Sequence, residues 1–459
     1  MSPKSLAVAA VSAALCGCVA VDRDARNARN AILSGNDAAA VAWSRELADE
    51  STYSRNLGAV EAGRVALLSA DYNEASRRFR AAIDSAVDRT EASPKLKAGD
   101  LANTALASTV TDDRTREYYL SAYEINLALG YGILAQILTD KRDDALADAR
   151  LAVYVQDTLS ETLGADMASE PEGTTESAKS IIEKQNAALE SMIAATRNSW
   201  ENPLLWWLTG VLFEADGDAD NAWQSYRKAA AIKPDCHVFA ADAARAEKGV
   251  GPVAGKAKLI VVYEQDLVPL RESFKVPVPL YTGFSIDIPR YAEETFVPET
   301  VSVSASTNEK AAAVALDVRS LAARDLKEKL PGIIVRNLTR AAVQAGAQAA
   351  ANASGNNYVK LAVFAGNAIV SAVRRADTRS WVTLPAMQHV WCASDMVPGD
   401  YELGVSAGGR TISVKVPLAD GETRILWVAS TGNVIRGASA TLGGRGAPTL
   451  DLNGKEINE

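Results

Sequence analysis

Between Trp206 and Pro234, small and large residues are spaced as two antiparallel helices packed on each other require. Trp206, Gly210 and Phe213 recur at helical spacing, a short polar stretch follows, and Ala222, Tyr226, Ala229 and Pro234 resume the spacing beyond it. Residues three and four apart share one face of an α-helix, so each set forms a stripe. Gly210 and Ala222 let the two backbones approach, the aromatic rings fill the space between them, and Pro234 ends the second helix. A unit of this kind cannot bury its apolar face alone and needs others stacked on it.

The spacing resembles a tetratricopeptide repeat, with Thr209 where that repeat prefers Leu. A fainter copy places Gly63, Ala75, Phe79 and Ala82 at the same offsets, and a third lies around Leu129-Gly130 and Asp143 to Ala152. Alanine-rich, 3.6-periodic segments predict an all-α helical-repeat domain over 19–248, with loops near Thr90 to Asp100 and Gly164 to Glu176.

The N-terminus has the order of an export signal: Lys4, then an apolar run from Leu6 to Leu15, shorter than the about 20 residues a membrane-spanning helix needs. Leu15-Cys16-Gly17-Cys18 resembles the lipobox of bacterial lipoproteins. That resemblance implies a signal peptide over 1–18, lipidation of Cys18 and a permanent lipid tether, since each buried CH₂ contributes about 0.8 kcal/mol. Val19 and Ala20 bring no aspartate after the cysteine, so the expected location is the outer membrane, facing the periplasm.

The 459 residues exceed one comfortable core, and 48% hydrophobic with 23% charged residues is a globular composition. The net charge of −9 becomes −10 when the signal and its Lys4 are removed. Without a clustered basic tract, no nucleic-acid partner is expected, because phosphate binding relies on Lys and Arg. Cys236 and Cys392 could form one disulfide in an oxidising compartment. His237 and His389 stand near them, but no C-x-x-C spacing supports zinc, so no metal and no cofactor are expected.

From Lys256 the texture changes. Leu259 to Tyr263, Phe274 to Leu280 and Thr300 to Ser304 read as short strands. Helices are expected at Leu316 to Leu330, Ile333 to about Ala351 and Tyr358 to about Ala376, then strands near Val382, His389 to Cys392, Tyr401 to Val405, Thr411 to Val416 and Arg424 to Val428. The fold class is therefore α+β and multidomain: tetratricopeptide-like repeats, then a mixed sheet domain over 256–431 with inserted small-residue-rich helices, then a tail over 432–459. The uncharged, alanine-rich stretch Ala341 to Asn357, with the similarly uncharged Leu361 to Val373, is expected to pack tightly on the sheet; alternatively, in a membrane, such a small-residue hairpin could insert or oligomerise.

Ala376-Asp-Thr-Arg-Ser-Trp381-Val-Thr-Leu-Pro385 resembles the hallmark of a family of uncharacterised proteobacterial lipoproteins with tetratricopeptide-like N-terminal halves. Tyr263-Glu264, Leu267-Val-Pro269, Asp317 through Leu330-Pro331, and Glu117-Tyr-Tyr119 with Glu124 add to the likeness. Members are often encoded near an outer-membrane lipoprotein that activates penicillin-binding proteins, which implies a role in the cell envelope. Arg379 and Trp381 offer a binding surface; alternatively Asp377 and Arg379 pair to fix the path into the last strands while Trp381 packs in the core.

Helical repeats line a concave groove with the first helix of each pair, so Trp207, Val211 and Glu214 are expected to face a groove that binds an envelope protein. The expected function is a membrane-anchored protein-interaction scaffold; the alternative is a peptidoglycan-binding or glycan-cleaving envelope protein. No enzyme is expected: there is no G-x-S-x-G elbow, and Gly249 to Lys256 misses the spacing of a phosphate loop and reads as a linker.

Overall fold

The computed structural model describes residues 25–457 apart from 51–54, 93–116, 167–174, 194–195, 250, 279–283, 293–295, 306–307, 362, 364–374 and 444–447. The expected signal 1–18 and the acylated Cys18 lie outside the described residues. The N-terminal half is helical: α1 (25–34), α2 (Asp37–Glu50), α3 (Arg55–Leu68), α4 (Tyr72–Ala92), α5 (Ala122–Leu138), α6 (Arg142–Asp166), α7 (Glu176–Ile193), α8 (Pro203–Asp216), α9 (Ala219–Ile232) and α10 (His237–Ala246). Local chemistry sets the ends of α8: Asn202 accepts the Leu205 N–H, Pro203 opens the first turn, and Gly217 closes it at φ 84°.

The pairs α3/α4, α5/α6 and α8/α9 each turn through one left-handed residue, Ala70, Asp140 and Gly217. Seven residues before these stand Gly63, Ile133 and Gly210, and nine after stand Phe79, Ala149 and Tyr226. A Cβ on Gly210 would lie 2.7 Å from Tyr226 Cδ1, and one on Gly63 2.9 Å from Phe79 Cε1, so each aromatic ring sits where a side chain would be. In the middle pair the large residue is Ile133 and the small one Ala149, both buried. Its register is set by Ile133, three residues past the expected Gly130, because small and large residues are exchanged in this copy.

The C-terminal half forms β1 (Ala257–Gln265), β2 (Arg271–Pro277), β3 (Ser285–Tyr291), β4 (Ser302–Ala305), β5 (Asn308–Ala311), β6 (Ala313–Asp317), α11 (Val318–Ala353), β7 (Met387–Met396), β8 (Gly399–Ala407), β9 (Arg410–Leu418), β10 (Thr423–Thr431), β11 (Val434–Gly443) and β12 (Leu450–Asp451). A six-stranded sheet runs β12-β11-β10-β1-β7-β6, with β1 parallel to β10 and its other pairs antiparallel; β5-β4-β8-β9 form a second, antiparallel sheet and β2-β3 a hairpin. β1 is buried along its whole length, because Ile260 and Val262 face the helices while Leu259, Val261 and Tyr263 face the second sheet. The protein is thus α+β, layered as helices, six-stranded sheet and four-stranded sheet.

Four expectations change. The expected boundary between 19–248 and 256–431 does not divide the packing: one hydrophobic core runs across it from Ala31 to Leu442, while a second core, between the two sheets, is built from residues 257–428. The expected tail 432–459 supplies β11 and β12 to the main sheet. The first two predicted helices are the single helix α11, which continues through Pro331. A proline inside a helix costs about 3 kcal/mol, and buried Leu326, Leu330, Ile334 and Asn337 on either side hold the helix on course. The stretch from Ala341, expected to pack tightly, leaves the body: between 342 and 353 only Ala351 is buried. Of Leu361 to Val373, all but 361 and 363 lie outside the described residues.

Candidate functional site

The inner helices α3, α5 and α8 are buried almost throughout, and charged residues stand among their apolar ones. A strap over 376–386, which contains the hallmark 376–385, lies against α3 and α5; it is irregular and turns at Val382-Thr383, where a strand was expected. Glu61 accepts the Val382 N–H at 2.6 Å and the Thr383 hydroxyl, while Arg64 Nε donates to the Thr383 carbonyl at 3.3 Å. Glu124 accepts the Trp381 N–H at 3.3 Å and the Tyr118 hydroxyl at 2.7 Å. The Trp381 ring packs beside Phe79 and Tyr131 with centroids 6.1 and 6.0 Å away, and its Nε1 donates to Thr383 Oγ1. The inner helices therefore hold a turning segment of the same chain through its backbone.

The strap is continuous with the main sheet. Arg64 also donates to Glu264 of β1, which in turn accepts Tyr131 OH at 2.8 Å and Gln388 Nε2 at 2.9 Å. Burial outweighs the hydrogen bonds to Glu61 and pushes its carboxyl up to about 8.

At α8, Glu214 accepts Arg245 Nη2 at 2.6 Å and Lys258 Nζ at 3.0 Å, and the fully buried Lys258 also reaches Asp242 at 3.3 Å. Burial alone would raise the Glu214 carboxyl; Lys258 and Arg245 overcome it and hold the group down at about 2. Trp207 is buried, donates from Nε1 to Asp242 at 2.8 Å and packs on Phe239. A third cluster joins Arg271, Asp325, Ser121 and Lys329. Each network ties the repeats to the second half, and their cations and carboxylates face one another.

The residues expected to line an open groove are thus covered by the chain itself. Trp207, Val211, Glu214 and Trp381 are buried, and the Arg379 side chain is held by Asp377 at 2.7 Å and stacked near Tyr118, which corrects their reading as exposed partner contacts. The other reading, in which Asp377 and Arg379 pair and Trp381 enters the core, matches the geometry. Glu61, Arg64 and Lys258 were not singled out from the sequence, and Glu264 entered only through the family likeness of Tyr263-Glu264; the visible signal was a charged residue on an otherwise apolar face, as Lys258 is in β1.

Cys236 and Cys392 are free thiols, and burial pushes Cys392 up to about 12. His237 is exposed beside buried Cys236, whereas His389 is buried between the sheets and held down at about 4 by that burial. Among the described residues, no group of three or more His, Cys, Asp and Glu could hold a metal ion, and no helix is long and apolar enough to cross a membrane. Compared with known proteins, the chain matches no family model and no curated protein.

Proposed function

We propose that this chain is a lipid-anchored envelope lipoprotein that serves as a protein-interaction scaffold, meeting its partner on the outer face of the repeats. The observation that carries the reading is the occupied inner face of the helix pairs: with the strap seated on α3 and α5, a partner is left the outer helices α4, α6 and α9. Along α6, Asp143, Ala147, Arg150 and Tyr154 recur at helical spacing and are all exposed, Tyr154 by 54%. Tyrosine offers a large contact at small entropic cost and is enriched at interfaces. Leu15-Cys16-Gly17-Cys18 supports the anchor, and the likeness of 376–385 to the lipoprotein hallmark supports the envelope.

Photo-crosslinking in living cells from position 154, with position 183 on α7 as an exposed control, tests the scaffold. One envelope protein captured from 154 and not from 183 is expected; equal or no capture overturns the outer-face reading. Metabolic labelling with a fatty acid tests the anchor separately: label should enter the wild type and not Cys18→Ser.

A further inference from the structure

Lys329 to Ala376 contains no Asp or Glu in a chain that carries 57, and it holds six Lys or Arg. The rest of the molecule is correspondingly more acidic than the overall −9. Within that stretch, residues 342–361 are exposed or half-buried apart from Ala351. After Ala341, α11 projects from the body; it ends near Gly355 at φ 69°, and the chain turns back through helical residues 357–361. Val343, just past Ala341, is exposed by 55%, and the tip exposes Tyr358 by 86%, Val359 by 40% and Leu361 by 66%, with Lys360 the one charged residue between Arg340 and Arg374.

The reach of this arm follows from helix geometry. At about 1.5 Å per residue, the 36 residues of α11 span about 54 Å. Its base is fixed by Val318 N–H donating to Ala386 O at 3.1 Å, and Ala386 N–H donates to Gln265 O at 2.9 Å. Arg29 of α1 reaches the Val268 and Leu267 carbonyls in the same region. The tip is therefore on the order of 50 Å from the base of α11, near which α1 is held.

We propose that this tip is a lipid-contacting foot that settles on an anionic phospholipid surface. Tyr358 has the apolar ring and polar end that favour the headgroup boundary, Leu361 and Val359 supply apolar area, and Lys360 can bury its stem while its ammonium meets phosphate. The arm carries no carboxylate to be repelled or desolvated, whereas the acidic body is repelled, which confines contact to the tip. A second copy fits less well, since two acid-free arms would bring like charges together.

The foot does not depend on the lipid anchor, and the test separates them by using the chain from Val19 onward, without signal or Cys18. This protein is floated with vesicles of phosphatidylcholine alone and of phosphatidylcholine with phosphatidylglycerol. Binding that rises with the phosphatidylglycerol fraction, weakens with salt and falls about tenfold or more in the Tyr358→Ser, Leu361→Ser double variant is expected. These positions are exposed, so the double variant should melt with the wild type. No retention on either vesicle, or retention unchanged in the double variant, overturns the proposal. So does a lipid-free, concentration-dependent dimer that the same substitutions abolish, because that would assign the tip to a second copy.

Discussion

Arg64 on α3 and Glu264 on β1, 200 residues apart in sequence, form an ion pair whose side chains are 0% and 2% exposed. Desolvating two charges offsets much of their attraction, so the pair adds modestly to stability while it is intact; removing one partner strands the other and costs about 3–5 kcal/mol. Arg64→Met should therefore unfold in urea with a loss of that order, and Arg64→Met with Glu264→Gln should recover part of it. A double-mutant cycle measures the coupling; additive losses would show that the pair does not join the halves.

Glu61 gives the fold a pH dependence of known sign. Its carboxyl is raised from 4.5 to about 8, so between those values the folded state keeps a proton that the unfolded state has lost. Its contribution to stability falls as pH rises through that window. Urea midpoints of Glu61→Gln measured from pH 5 to 8 should fall less steeply than those of the wild type, because glutamine does not titrate.

His389 acts from the other side. Its imidazole is lowered from 6.5 to about 4 by burial, so the unfolded chain binds a proton first and stability declines as pH falls between those values. His389→Phe keeps a ring beside Tyr263, whose centroid is 6.0 Å from that of His389. The variant should lose less stability than the wild type on acidification from pH 6.5 to 4.5, read by thermal unfolding.

The close approaches within the helix pairs predict an asymmetric response. Gly63→Ala and Gly210→Ala press a methyl against Phe79 and Tyr226 and should cost about 1–3 kcal/mol each by overpacking. Gly130→Ala, whose added Cβ would meet only Leu205 Cδ1 at 3.8 Å, should be tolerated or mildly stabilising. Equal losses at all three positions in guanidinium titrations would contradict the register placed at Ile133.

These outcomes separate what the sequence carries locally from what only the assembled chain reveals. Gly210 with Tyr226 was legible because close helix packing needs a small residue facing a large one at a fixed offset. The middle pair was placed three residues out of register, because Ile133 and Ala149 fill the same space with the sizes reversed. The strands β1, β7, β8, β9 and β10 announce themselves by β-branched and aromatic runs between turns. Pro331 hid the continuity of α11, since local propensity argues for a stop there and burial of Leu330 and Ile334 overrides it. The occupant of the inner face was invisible for a different reason: nothing near Glu61 in the chain shows that Val382 and Thr383 will return to it.

The central claim is that repeats and sheets form one cooperative unit closed by the strap, and native-state hydrogen exchange of the full chain tests it most directly. In the wild type, the most protected amides of α3, α5 and α8 should open with the same free energy as those of β1 and β10. Trp381→Ala should lower both sets together. Full protection of β1 and β10 while α3 and α5 exchange freely would contradict the account, because the halves would then be separate domains that merely touch.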